Sequence, residues 1–335
     1  MINQRTKEFV LMLLLLIICT NAVAVGYEIN KDRSDLSINP VLLKPFLEDS
    51  FYNLKWQNHL ILPAKDKFIA IFIVKLKNSE LGYSLGPDRT NYLANVTFHI
   101  QIDKIEGQMK KALVNAIVGG SFSIPYSYYN PQEENFYYLG YPLLPGKYIL
   151  VASYEKGPGS KQEILPYEFE ISDLAKFSKE NLGLETTTIL LLKDIEMMDS
   201  IEKYPNIHKD YFSWVKMRAY PYANNKIKPG DQPELITAIY GAKNDGNGKF
   251  QIEIKYDIRK DNVKLVDFSP MIYDTTFIQQ PIPIPLSKQV IIKDEKGERK
   301  EDRPLEPGSY EIIMNIKDIM SGQTLEKRIP IEISK

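Results

Sequence analysis

Alternation of apolar and polar residues is the dominant pattern of this chain. It is clearest in Asn95–Asp103, Lys249–Ile258 and Ser309–Lys317, where every second residue is apolar. A period of two places successive side chains on opposite faces of an extended strand. These stretches therefore predict antiparallel strands with one buried face and one wet face.

Shorter apolar runs between turn residues predict further strands, at 68–76, 112–118, 162–171, 187–192, 234–240 and 289–293. Ser172–Gly183 is typical of a short helix, with a capping serine and a late glycine. The segment 194–209 is polar and is expected to loop out. Gln280–Leu286 contains three prolines and is expected at a sheet edge or crossover. Many short strands separated by turns predict an all-β sandwich fold.

The chain also repeats one ending. Pro142–Leu150 leads to a strand that closes at Ile171, and Pro304–Ile312 leads to a strand that closes at Lys335. In both copies a Pro-Gly pair, which favours a type II turn, precedes a tyrosine at the start of a long strand. In immunoglobulin-like sandwiches such a tyrosine bonds back to the preceding corner. The predicted structural corners comprise Pro145, Gly146, Tyr148, Pro307, Gly308 and Tyr310.

A repeated closing hairpin predicts two copies of one domain. The expected fold is two tandem immunoglobulin-like (fibronectin-III-like) antiparallel β-sandwiches after a cleaved signal peptide. A length of 335 residues suits two domains that each bury a core. The expected divisions are a signal peptide at 1–24, an N-terminal lead at 25–44, a first sandwich at 45–172, a linker with a short helix at 173–185 and a second sandwich at 186–335.

The first residues have the form of an export signal. Arg5 and Lys7 precede an apolar core, and Ala22–Ala24 supplies small residues for cleavage after Ala24. Cleavage is favoured over lipidation of Cys19, because a lipoprotein site wants a small residue where Ile18 stands. Cys19 is the only cysteine, so the mature chain would have none. A mature chain without cysteine favours a bacterial periplasmic or extracellular protein. The apolar run Phe9–Ile18 is short for a bilayer, so no transmembrane span is expected in the mature chain.

The balance of charge and the absence of known motifs argue against several classes of function. The 42 Lys and Arg residues nearly balance the 43 Asp and Glu residues, and no clustered basic surface indicates a nucleic-acid partner. No serine-hydrolase, nucleotide-binding or zinc-peptidase motif occurs. Asn244–Gly248 lacks the closing acid of a calcium loop and favours a plain turn. We therefore expect no enzyme activity, no catalytic or metal-ligating residues and no cofactor.

One stretch is a candidate contact surface. Tyr126–Tyr141 combines aromatic rings with Asn, Gln and Glu side chains. Rings beside amides suit glycan stacking or peptide contact. The alternative is that these tyrosines pack across neighbouring strands. The candidate ligand-contact residues are Tyr126, Tyr128, Tyr129, Tyr137 and Tyr138.

The repeated L-x-P-G-x-Y hairpin, the strand Leu184–Leu192 and the turn Pro221–Asp231 together resemble a known architecture. They are similar to the tandem β-sandwich region of exported bacterial proteins of the G-W-x-T-D domain family, over about residues 140–335. The motif that names the family is absent, since the two tryptophans lie in other contexts, at Trp56 and Trp214. The resemblance implies a sandwich fold and export, and it implies no reaction.

The sequence thus predicts an exported, non-catalytic interaction or structural module of the bacterial envelope. It would bind a protein or glycan partner through sandwich loops or edge strands. Two alternatives stay open. One is a carbohydrate-binding protein that uses residues 126–141, and the other is a glycosidase-like enzyme, whose carboxylate pair a sequence cannot reveal.

Overall fold

The computed structural model describes residues 56–64, 67–157, 159–285, 287–294 and 297–335, which belong to one compact unit. The expected signal peptide, the N-terminal lead and Cys19 lie outside the described residues. The described chain is built of strands, with one short α-helix at Ala175–Glu180. The predicted all-β sandwich class is confirmed.

The described residues of 56–171, which we call the first half, form two antiparallel sheets, to one of which a later strand is added. Sheet 1 has the strand order β1-β2-β6-β11, and sheet 2 has the order β3-β4-β7-β8, with β5 on the other side of β4 from β7. The strands of sheet 1 are β1 (Trp56–Ala64), β2 (Lys67–Lys77), β6 (Glu134–Leu143) and β11 (Asn206–Lys209). The strands of sheet 2 are β3 (Ser84–Leu85), β4 (Asn91–Glu106), β5 (Met109–Pro125), β7 (Gly146–Glu155) and β8 (Lys161–Ile171).

The described chain from residue 185 onward is called the second half and forms two further sheets and a hairpin. Sheet 3 has the order β12-β13-β10-β15-β19, with β9 also on β15, and sheet 4 has the order β14-β23-β22-β16-β17, with β18 also on β16. The strands of sheet 3 are β9 (Glu185–Thr186), β10 (Leu190–Met197), β12 (Phe212–Trp214), β13 (Met217–Pro221), β15 (Glu234–Tyr240) and β19 (Phe277–Pro281). The remaining strands are β14 (Lys226–Ile227), β16 (Ile252–Lys260), β17 (Val263–Asp267), β18 (Met271–Tyr273), β22 (Gly308–Asp318) and β23 (Thr324–Ile333), with the hairpin β20 (Ser287–Asp294) and β21 (Gly297–Pro304).

Three hydrophobic cores separate these sheets into four layers. The first core lies between sheets 2 and 1, the middle core between sheets 1 and 3, and the last between sheets 3 and 4. Strand β2 shows why sheet 1 is buried on both faces. Phe68, Ala70 and Phe72 enter the first core, and the alternate residues Ile69 and Ile71 enter the middle core. A continuous apolar run is the expected signature of a strand covered on both sides.

The two halves repeat one strand order. Strands β1-β2-β6 correspond to β10-β15-β19, and strands β4-β7-β8 correspond to β16-β22-β23. The closing hairpins share their register, since Gly146 faces Ile171 and Gly308 faces Ile333. The repeat in the sequence is therefore also a repeat of strand order and pairing.

The corner tyrosines make the same hydrogen bond in both halves. Tyr148 Oη donates to the Leu144 carbonyl and Tyr310 Oη to the Glu306 carbonyl, each at 2.7 Å. The expected type II turns do not form, because the corner glycines have φ of 152° and 151° rather than about +80°. The carbonyl that would close such a turn accepts the tyrosine hydroxyl instead.

The expectation of a loop at 194–209 is correct only for 198–205 and wrong for both ends of the segment. Strand β10 continues to Met197, and β11 pairs with Tyr137–Gly140 at the edge of sheet 1. Gly140 allows this approach, because a Cβ there would lie 3.0 Å from Asn206 Oδ1. Ile207 then enters the first core. The second half of the chain thereby supplies a strand to a sheet of the first half.

Candidate functional site

The loops at one end of the first half are fastened to each other. Tyr126 N donates to the Thr90 carbonyl, and Gly86 N donates to the Asn91 carbonyl, both at 2.8 Å. Asp88 accepts a hydrogen bond from Thr90 N at 3.1 Å and a second one from the Thr90 hydroxyl. These bonds hold the pKa of the exposed Asp88 carboxyl below its usual value. The loop 86–91 and the turn after β5 therefore form one ordered surface.

A stack of tyrosine rings lies on this surface. The Tyr92 ring is 5.8 Å from Tyr126 and 3.9 Å from Tyr129, with interplanar angles of 12° and 15°. We call Tyr126, Tyr92 and Tyr129 the tyrosine stack. Tyr83 packs against its inner end, with ring centroids 5.8 Å apart. Tyr126 is 58% exposed, and the neighbouring Tyr128 is 74% exposed. The surface therefore presents two accessible rings, one of them supported from behind.

Two of the predicted contact residues are not on this surface. Tyr137 and Tyr138 are 0% and 2% exposed, and burial raises the pKa of both hydroxyls. Neighbouring residues on a strand point to opposite faces, and both faces of β6 are covered. Tyr137 therefore lies in the first core and Tyr138 in the middle core. The prediction that these two residues contact a ligand is therefore wrong. Of the other three predicted contact residues, Tyr126 and Tyr128 are exposed and Tyr129 is half-buried.

Tyr92 was not singled out from the sequence. It lies far from Tyr126 along the chain, and the β4–β5 hairpin brings it opposite Ile124. A two-residue connection joins these strands, and a bulge between Ile102 and Asp103 then shifts their register by one residue before it reaches Tyr92, so the connection alone does not give the partner of Tyr92.

A cleft of about 790 Å³ lies along the junction of sheets 1 and 3. Two carboxylates line it, and both have cationic neighbours: Glu185 pairs with Lys327, and Glu170 lies 3.9 Å from the Lys147 ammonium. The threonines of the cleft are also engaged in structure. Thr188 Oγ1 accepts from Ile61 N at 2.8 Å, which joins β1 to the second half. At this cleft Thr188 joins the two halves, and each of the two carboxylates pairs with a lysine of its own half.

A serine, a histidine and an acid meet beside β11. His208 Nε2 lies 3.0 Å from Glu202 Oε2, and the Ser213 hydroxyl donates to the same carboxylate and lies 3.3 Å from Nε2. In a catalytic triad the serine and the acid bind different ring nitrogens, whereas here both meet Nε2. Burial lowers the pKa of His208, and the Glu202 carboxylate opposes that shift. Ser213 is fully buried, so the group is a polar cross-link.

Among the described residues, no His, Cys, Asp and Glu side chains are grouped to hold a metal ion. In the same part of the chain no helix is long and apolar enough to cross a bilayer. Comparison with known families and with curated proteins gives no match to a family model or to a characterised sequence.

Proposed function

We propose that this chain is an exported, non-catalytic recognition module of the bacterial envelope, built on two immunoglobulin-like sandwiches. The exposure of Tyr126 and Tyr128 on a hydrogen-bonded loop surface carries the proposal. Loops presented by a rigid sheet scaffold commonly bind partners. Tyrosine provides a large amphipathic contact area with little side-chain entropy to lose. The export-type residues at 1–24 support the envelope location.

The placement of the carboxylates supports a non-catalytic role. Three carboxylates are buried among the described residues, and each is engaged with a neighbour. Asp257 binds the Arg259 guanidinium, with bonds of 2.6 and 3.0 Å. Asp318 accepts from two backbone amides, and Asp103 accepts from the Gln101 amide. A glycosidase instead needs two carboxylates that face a substrate.

Retention on isolated cell envelopes tests the proposal. The full chain, labelled with a fluorophore, is sedimented with envelopes, and the bound fraction is compared with that of a Tyr126→Ala/Tyr128→Ala variant. Ile272→Ala is the matched control, since Ile272 is 67% exposed on sheet 4. Because aromatic anchors dominate small interfaces, we expect the double variant to bind about tenfold less and the control to bind normally. Equal retention of all three proteins contradicts the proposal.

A further inference from the structure

We infer that the tyrosine stack binds a neutral saccharide, an assignment that rests on the proposed recognition function. The first argument is the shape of the surface. Tyr92 contacts both Tyr126 and Tyr129, and these two rings share no ring contact. Tyr126 is therefore an end of the stack among the described residues, and it is more than half exposed. A supported, exposed ring offers a flat apolar platform with an electron-rich face.

A pyranose ring matches this platform chemically. One face of such a sugar is lined with C–H groups, which are attracted to the negative face of an aromatic ring. Its hydroxyls need donors and acceptors at the rim of the contact. The loop 86–91 supplies such groups next to the stack, through the exposed side chains of Asp88, Arg89 and Thr90. The turn adds the exposed hydroxyl of Ser127.

The local charge favours an uncharged sugar. Asp88 and Arg89 are adjacent and of opposite sign, so the rim has no net charge to attract an acidic or a basic ligand. The surface is also poorly suited to an extended peptide. Peptides add to a strand edge or fill a groove, whereas the stack presents the face of an exposed ring. The cleft is lined by other residues.

The small contact sets the expected affinity. Two rings bury little area, so a single site should bind an oligosaccharide with a Kd of roughly 1 mM. The arrangement of the stack reduces the entropy lost on binding, because Tyr126 is already held by Tyr92 and by its backbone bond to Thr90. A ring face is the binding element, so the hydroxyl of Tyr126 is dispensable.

Two measurements test the saccharide assignment. In the first, envelopes are treated with periodate, which cleaves vicinal diols of sugars, or with proteinase, before sedimentation with the full chain. We expect periodate to abolish retention and proteinase to leave it unchanged. The opposite result would assign a protein partner, so the recognition function would stand and the saccharide would be refuted. If retention survives both treatments, the saccharide assignment is also refuted. If untreated envelopes retain no protein, the recognition function and the saccharide assignment are both refuted.

In the second measurement, NMR titration of the full chain with a panel of neutral gluco-, manno-, galacto- and N-acetylhexosamine oligosaccharides reports direct binding. We expect at least one to bind, with Tyr126→Ala weakening the affinity about tenfold and Tyr126→Phe changing it less than about threefold. Ile272→Ala should bind as the unaltered chain does. Equal binding by Tyr126→Ala and the unaltered chain, or no binding by any sugar of the panel, overturns the assignment.

Discussion

Removal of a single hydroxyl should have opposite consequences at different buried tyrosines. Tyr148 and Tyr310 each donate a 2.7 Å hydrogen bond to a corner carbonyl. Tyr256 is 1% exposed, and its hydroxyl has no hydrogen-bond partner among the described residues. Substitution of each by phenylalanine keeps the ring in its core and removes only the hydroxyl. The three variants therefore isolate the value of the corner bond.

The magnitudes follow from the surroundings of each hydroxyl. A buried hydrogen bond contributes about 1 kcal/mol to the free energy of unfolding. The two acceptor carbonyls belong to Leu144 and Glu306, which are exposed, so water can replace the lost donor. We expect Tyr148→Phe and Tyr310→Phe each to lower the free energy of unfolding by about 1 kcal/mol. Tyr256→Phe removes a desolvated polar group and should leave stability unchanged or raise it by up to about 1 kcal/mol.

Urea unfolding followed by tryptophan fluorescence measures these differences. Trp56 lies in the first core, and Trp214 lies in the middle core with its indole N–H donating to Pro63 at 2.8 Å. With a slope of about 3 kcal/mol/M, the corner variants should move the midpoint down by about 0.3 M. The reasoning is refuted if Tyr256→Phe destabilises the chain as much as Tyr148→Phe does.

Four further substitutions have clear expectations, each measured as a urea midpoint. Gly241→Ala should lower the free energy of unfolding by more than about 2 kcal/mol, because φ is +89° and a Cβ would lie 1.8 Å from the Gly183 carbonyl oxygen. Gly246→Ala is the matched control and should cost only about 1 kcal/mol, because its φ is +80° but its surroundings are open. Equal losses of stability would contradict the steric argument. Asp318→Ala should lower the free energy of unfolding by about 2 kcal/mol or more, because it leaves without an acceptor two backbone amides that the carboxylate binds at 3.0 and 3.1 Å. An unchanged midpoint would contradict this. Burial lowers the pKa of His59 below 6.5, so the unfolded chain binds the proton more tightly and the free energy of unfolding should fall as the pH drops below about 6.5. In the His59→Gln variant the urea midpoint should therefore fall less between pH 7.5 and pH 5.5. An unaltered dependence of the midpoint on pH would exclude His59 as its source.

Alternation along the chain predicted the strands well where one face is buried and the other is wet. Val96, Phe98, Ile100 and Ile102 are all buried in β4, as the period of two requires. The inward residues of β16 and β22 alternate in the same way, but Asp257 and Ile313, which pair with each other on the opposite face, are buried as well. The alternation therefore predicted the inner face of these strands and did not show which residues of the outer face are covered.

The pattern failed where the environment is set by distant parts of the chain. Nothing near Tyr138 in sequence indicates that sheet 3 will cover its face of β6. Strand β11 has a single core residue, Ile207, in a polar segment, so no periodicity could reveal it. The tyrosine stack depends on a hairpin register that joins Tyr92 to the turn after β5. Of the candidate site, the sequence therefore identified the exposed Tyr126 and Tyr128 and missed Tyr92, the ring that supports Tyr126.

Because β11 of the second half completes a sheet of the first half, truncation of the chain between the halves should have a cost. A fragment that stops at residue 172 would lack β11, leaving the backbone of Tyr137–Gly140 unpaired along an open edge. It would also bare the face of sheet 1 that carries Ile69 and Ile71. Unpaired sheet edges and large exposed apolar surfaces promote self-association. A fragment designed to stay in solution should therefore include both halves of the chain.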